Sequence, residues 1–224
     1  MREKMKPYLA LAERLFADPA HETTWLAEAV TLPPFTDALL RQLVAHADHL
    51  ALAQPRRGWA LLAVATAAAQ AQTVAPFLQA KAAWYLARSA NEWVQPQRVA
   101  AALDQAQPIF EKQQATGWVA ACQWQQNALP WTRPDFFAAA TALALALTEM
   151  EKHPDLSEFV PHCRLSLAYA YLLINAYEDA ISLIRQSMAY FETHQDPLNL
   201  ARCWFVEAAC RRRQNDFVQA RLLV

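Results

Sequence analysis

His46-Ala-Asp-His49 places two imidazoles at i, i+3 with a carboxylate between them, a spacing that could begin a metal site on one turn of helix. No further ligands accompany it, so the tetrapeptide reads as polar residues on a solvated helix face. Cys122, Cys163, Cys203 and Cys210 include no CxxC pair and have no histidines at zinc spacing. They read as reduced, half-buried thiols of a cytoplasmic protein. Glu149 and Glu151 stand two residues apart, so on a helix their carboxylates diverge instead of pairing as acid and base. The densest charge is Arg211-Arg-Arg213, which suits a helix C-terminus, whose dipole favours cations, or an acidic ligand held by guanidinium forks. The glycines, Gly58 and Gly117, belong to no GxGxxG or GxxxxGK[ST] run, so the loops that cradle phosphates are missing. These residues assign no catalytic group, no metal site and no cofactor, and the expectation is a protein that is not an enzyme.

Whatever these side chains do, helices must position them. The chain has 224 residues, 55% hydrophobic and 18% charged, the composition of a well-packed core. Twenty Lys+Arg against 21 Asp+Glu leave a formal charge of −1, so no whole-protein field favours nucleic acid or an anionic membrane. Two glycines cannot supply the left-handed turns of a many-stranded sheet, which leaves an all-α protein. The basic start is interrupted by Glu13, Arg14 and Asp18 before an apolar signal region can form. The longest apolar run, Phe136 to Leu147, is shorter than the roughly 20 residues of a membrane span and reads as one core helix.

A period of 40 residues organises the chain. Alanine recurs at Ala60, Ala100, Ala140, Ala180 and Ala220, and Trp84, Trp124 and Trp204 form a second column in the same register. Phe137, Tyr177 and Phe217 form a third, Ala128, Ala168 and Ala208 a fourth, and Leu103, Leu143, Leu183 and Leu223 a fifth. Breakers recur in step: Gln54-Pro55, Gln95-Pro96, Pro130 to Pro134, Asn175 and Gln214-Asn-Asp216 near the middle of each unit, and Thr73 to Pro76, Ala115-Thr-Gly117, His153-Pro-Asp155 and Gln195-Asp-Pro197 at its ends. Each unit is therefore two helices. Leu165, Ala168, Tyr169 and Leu172 follow i, i+3, i+4, i+7, as do Tyr177, Ala180, Ile181 and Ile184. Asp196-Pro197 reads as a capped helix start, and Asn175 and Asn215 as left-handed helix ends. Alanines of the first and fourth columns are small where the helices of a pair would cross, so a larger residue there should force the pair apart. Arg88 stands in the 128/168/208 column one unit earlier, a departure that predicts a register shift or a looser pair.

Leu167-Ala168, Tyr171, Asn175-Ala-Tyr177-Glu-Asp-Ala180, Ile184 and Ser187 resemble one tetratricopeptide repeat, and Cys203 to Leu223, with Ala208, Asn215, Phe217 and Ala220, resembles most of the next. Toward the N-terminus Arg57 and Gln97 stand where that family has an aromatic residue. The 40-residue spacing is similar to a long variant found in bacterial regulators, and HEAT-like pairs share that length. The resemblance implies a right-handed α-solenoid of antiparallel helix pairs: a helical cap over residues 1–35, then about five pairs over 36–224, the last incomplete. It also implies a concave groove lined by the first helix of each pair, with His162, Tyr169, Arg202, Phe205, Arg212 and Arg213 facing it in the last two units. Tyr85, Glu92, Trp93, Gln125 and Arg133 give a more neutral stretch earlier. Its ligand would be a protein or an extended acidic peptide, and the carboxylate-clamp residues of chaperone-binding members are not recognisable. The opening residues are loosely similar to leaders of bacterial tetratricopeptide proteins that end in a CHAT protease-like domain.

The chain stops at Arg221-Leu-Leu-Val224, inside the second helix of a unit. That predicts either further repeats beyond it or an apolar edge buried in an oligomer or another partner. The functional expectation is a non-catalytic, cytoplasmic protein- or peptide-binding scaffold or sensor within a larger bacterial regulatory or signalling protein. The rivals are a sensor controlling an attached protease or DNA-binding effector and a HEAT-like structural scaffold; neither nucleic acid nor membrane is expected as a direct partner.

Overall fold

The computed structural model describes residues 2–92, 95–128 and 134–222, which form twelve α-helices and no strand among the described residues. They are α1 (Arg2–Ala17), α2 (Glu22–Ala27), α3 (Asp37–Ala53), α4 (Pro55–Ala71), α5 (Pro76–Glu92), α6 (Pro96–Lys112), α7 (Thr116–Asn127), α8 (Phe136–Met150), α9 (Val160–Leu173), α10 (Tyr177–Thr193), α11 (Pro197–Arg213) and α12 (Phe217–Leu222). Short links force successive helices into antiparallel pairs. Single residues or a few separate α3 from α4, α5 from α6, α9 from α10 and α11 from α12.

Prolines open α4, α5, α6 and α11, where their missing N–H costs nothing. Side chains of Thr36, Asp135, Asp196 and Asp216 accept hydrogen bonds from Leu39, Ala138, Asn199 and Gln219 amides at the starts of α3, α8, α11 and α12. At the other ends, Asn175 and Asn215 adopt the left-handed conformation, and so do Gln114 and Gln195. After each, the next amide donates five residues back, Ala176 to Tyr171 and Asp216 to Arg211, both at 2.9 Å, closing the helix end in a Schellman turn. Neither glycine has positive φ. Gly58 instead lets α4 approach α3, where a Cβ would lie 2.5 Å from the Ala47 carbonyl oxygen.

The chain divides into two compact units, 1–115 and 116–224. In the first, α1 and α2 pack on α4, which is also packed by α3 and α5. Trp59 through Thr66 are all buried, so α4 is a wrapped central helix. Tyr8, Leu11, Ala12 and Leu15 present the apolar stripe of α1. Arginine stacks and ion pairs close the outside: Arg57 bonds Glu13 at 2.8 Å and lies over Phe16, while Arg98 bonds Glu22 at 3.1 Å and lies over Trp59 at 4.2 Å. The Tyr8 hydroxyl donates to the Pro33 carbonyl, and Gln72 bonds Leu32, Pro33 and Phe35, tying the 32–35 segment down.

In the second unit α7 pairs with α8, α9 with α10 and α11 with α12. Leu165, Ala168, Ala180, Ile181, Ile184, Phe191, Cys203, Val206 and Cys210 form its core. The second helices of the pairs start at residues 55, 96, 136, 177 and 217, so the true step alternates between 41 and 40. A strict 40-residue column therefore slides by one position at each step of 41, two positions over the five pairs. Ala60, Ala140 and Ala180 are buried, Ala220 is half-buried, and Ala100 is exposed; in α6 the packing falls to Val99, Ala102, Leu103, Ala106 and Phe110. Ala180→Leu should cost about 1–3 kcal/mol through overpacking, while Ala100→Leu should stay within about 0.5 kcal/mol. Urea unfolding of the two variants checks this, and equal costs would refute the register assignment.

Candidate functional site

Along α11 the residues Leu198, Arg202, Phe205, Ala209, Arg212 and Arg213 recur at helical spacing on the face that the core residues Asn199, Cys203, Val206 and Cys210 leave outward. Phe205 is 61% exposed, and its ring centre lies 6.3 Å from that of Tyr169 on α9. Burial raises the Tyr169 hydroxyl above its usual pKa, with the Arg202 charge acting in the opposite direction. Arg202 is oriented by its own helix start: its guanidinium donates to Asn199 Oδ1 at 3.1 Å, and Asn199 Nδ2 donates to the capping Asp196 at 2.6 Å. Arg212 and Arg213 are exposed in the last turn of α11, where the carbonyl ends of the helix dipole favour cations. Phe205, Arg212 and Arg213 are thus exposed on α11, and Arg202 on α11 and Tyr169 on α9 are half-buried.

The remaining sequence candidates are placed differently. His162 is half-buried with its ring edge on Phe191, 5.0 Å between centres, so it is partly engaged in packing α9 on α10. Tyr85, expected in a groove, is buried against Trp84 at 5.2 Å, because α5 is enclosed by α3, α4 and α6. Gln125 is likewise buried. Arg88 crosses from α5 to pair with Asp48 on α3, which takes the carboxylate out of the His46–His49 turn. Trp84 and Trp124 are core residues, Trp124 donating to Ser166 at 3.1 Å, whereas Trp204 is 41% exposed with no helix laid over it among the described residues. Trp93, Arg133, Leu223 and the side chain of Glu92 lie outside the described residues.

One cluster was not anticipated. At the start of α7 and the end of α8, Thr116 Oγ1 donates to Glu149 Oε1 at 2.7 Å, Lys152 Nζ donates to Glu149 Oε2 at 2.7 Å, and His153 Nε2 lies 3.2 Å from both Glu149 and Thr116. Gly117 makes room for it, since a Cβ there would fall 2.5 Å from the His153 ring. Thr116 and His153 are legible in the sequence only as breakers 37 residues apart; the pairing of α7 with α8 unites them. The set contains a hydroxyl, an imidazole and a carboxylate, but one imidazole nitrogen meets both oxygens, so the carboxylate cannot orient the ring as a base for the hydroxyl. It acts as a lock between helix ends. Glu151 turns the other way, to Arg164 at 2.6 Å. The four cysteines are buried, and burial pushes the Cys203 thiol up to about 12, the Cys210 thiol to about 11 and the Cys163 thiol higher still, all unfavourable to a reactive thiolate. Among the described residues no group of three or more His, Cys, Asp or Glu could hold a metal ion, and no helix is long and apolar enough to cross a membrane.

No protein-family model matches the chain, and no curated protein matches it. Solved structures do. The chain is similar to a kinesin light chain of Podospora anserina with nearly identical TPR-like repeats, and to a single-substitution form of that same protein; each has a TM-score of 0.53 and 19% identity, over 82% of this chain and 90% of that one. The fold is that of TPR-like repeats. The similarity of the opening residues to CHAT-protein leaders finds no support among these structures.

Hydrogen bonds from Lys152, then Thr116 and His153, hold the Glu149 carboxyl down at about 2, from an ordinary 4.5. A carboxyl depressed in the folded state contributes stability that is complete above pH 4.5 and is lost as pH falls through about 2. Glu149→Gln should therefore melt below the parent chain at pH 7, with the difference closing toward pH 2. Melting curves across that range test it, and a difference independent of pH would mean that the carboxylate charge is not what the lock uses.

Proposed function

We propose that this chain is a non-catalytic binding module for an acidic peptide segment of a partner protein, working in the cytoplasm within a larger bacterial regulatory or signalling protein. The observation that carries the reading is the surface on α9 and α11, where Phe205 and Tyr169 lie 6.3 Å apart between ring centres, the Arg202 charge acts on Tyr169, and Arg212 and Arg213 are exposed about two turns further along α11. The aromatic rings offer apolar area with few rotamers to freeze, and guanidiniums donate to carboxylates in a bidentate fork. Asn199 and Asp196 hold Arg202 before any ligand arrives, which lowers the ordering cost of binding. The TPR-like fold supports a protein-interaction role in general terms, and the site residues supply the preference for acid.

Fluorescence anisotropy with labelled peptides tests the reading. Peptides rich in Asp and Glu around one aromatic residue should bind, with affinity falling as salt rises, and their Asn/Gln counterparts should not. Phe205→Ala and Arg212→Ala should each cost about 1–3 kcal/mol of binding free energy, while helicity by circular dichroism stays unchanged. Equal binding of the neutral peptides would refute the electrostatic part of the proposal.

A further inference from the structure

Positive and negative charge part company across α11. From Leu198 to Arg213 the chain holds one carboxylate, Glu207, and it is turned inward: it is buried and accepts a hydrogen bond from Arg185 of α10 at 3.1 Å. At 3.6 residues per turn, Leu198, Arg202, Phe205, Ala209, Arg212 and Arg213 fall within about 100° of the helix circumference. That stripe excludes the buried Asn199, Cys203, Val206, Glu207 and Cys210. It therefore carries three guanidiniums and no carboxylate, and among the described residues Arg212 and Arg213 make no ion pair.

The three arginines are not equivalent. Arg202 is half-buried and held in place by the chain Asp196, Asn199, Arg202, whose two hydrogen bonds are 2.6 and 3.1 Å long. A segment laid over it strips the water it has left, so an unmatched Arg202 is costly. Arg212 and Arg213 are exposed in the last turn and stay hydrated when unmatched, so they attract acid over a range of positions. Ten and eleven residues of helix separate them from Arg202, about 15–17 Å at 1.5 Å per residue. Between these ends Phe205 meets Tyr169 of α9, with 6.3 Å between ring centres. Helices that already touch through their rings leave a shallow furrow, which suits an extended backbone better than a helix about 10–12 Å across. An extended chain advances about 3.3 Å per residue, so about five residues cover the distance.

We propose that the segment bound here is extended and carries its acids in two groups about five residues apart, and that Arg202 is the residue that reads this spacing. One acid meets Arg202, a second group meets Arg212 and Arg213, and an apolar side chain between them rests on Phe205. The proposal rests on the acidic-peptide reading above and adds a spacing and a specificity-determining residue to it. The division of labour follows from how each arginine is held. A fixed, half-buried guanidinium discriminates by the penalty it imposes on a segment with no acid opposite it. Two exposed ones contribute attraction and salt dependence without selecting a position.

The test is a set of labelled peptides of one length and composition, in which a single Asp and an Asp-Asp pair stand two, five or ten residues apart with one Leu between them. Binding of each to the full chain is followed by fluorescence anisotropy. The five-residue spacing should bind about tenfold or more tighter than the other two. Arg202→Gln should bring the three peptides to equal affinity, whereas Arg213→Gln should weaken all three by a similar factor, keep their order and lower the salt dependence. Circular dichroism checks that both variants stay folded, and the comparison of spacings on the parent chain stands without them. Equal binding of the three spacings, tightest binding at two or ten, or a preference that survives Arg202→Gln would overturn the proposal and leave the acidic-peptide site standing. Failure of every acidic peptide to bind would remove that site and the spacing rule with it.

Discussion

The pairing of helices in this protein depends on reversing the chain within one to three residues at α3–α4, α9–α10 and α11–α12, with almost no glycine to do it. A helix ends with carbonyls that lack partners, and the chain satisfies them by putting Gln114, Asn175, Gln195 and Asn215 into the left-handed region. Such a conformation is strained for residues with a Cβ, and the two returning amide bonds at each end offset the cost. Where the next helix follows at once, an aspartate takes over as its cap, as Asp196 and Asp216 do. Turns this tight leave no choice but antiparallel neighbours, and that fixes which faces must be apolar.

Burial then sorts the helices by what lies over them. The most enclosed is α4, with helices on several sides and Gly58 admitting the α3 backbone, so alanine, leucine and valine occupy it almost all round. Its outer layer, α1 and α2, is held by Tyr8, Gln72 and a set of arginines that each find both a carboxylate and an aromatic face. Arginine suits this place because its planar group stacks and forks at once. In the second unit α11 has a core on one side only, and its other side carries the accessible rings and guanidiniums of the proposed binding surface. Accessibility, more than residue type, separates Tyr169 and Phe205 from the equally aromatic Tyr85 and Trp84.

The all-α class, the paired helices and the breakers between them were legible in the residues alone, because helical periodicity and turn chemistry are local. Asn175, Asn215 and Asp196-Pro197 act as read, since each answers to backbone geometry within a few residues. The grouping of Arg202, Phe205, Arg212 and Arg213 on one face was legible for the same reason, spacing along a single helix. What could not be read was which helix covers which. A uniform period of 40 hides the alternation of 41 and 40, and it also hides the cover: Ala100 and Ala140 stand at the same place counted from their helix starts, yet Ala100 is exposed and Ala140 buried. The union of Thr116 with Glu149 and His153, the pairing of Arg88 with Asp48 and the covering of α4 by α1 join residues 33 or more apart, through packing of surfaces that no local rule selects. Residue spacing along each helix determined the elements and their apolar faces; only tertiary packing decided which of those faces were closed and which were left open, because burial depends on the neighbour that arrives.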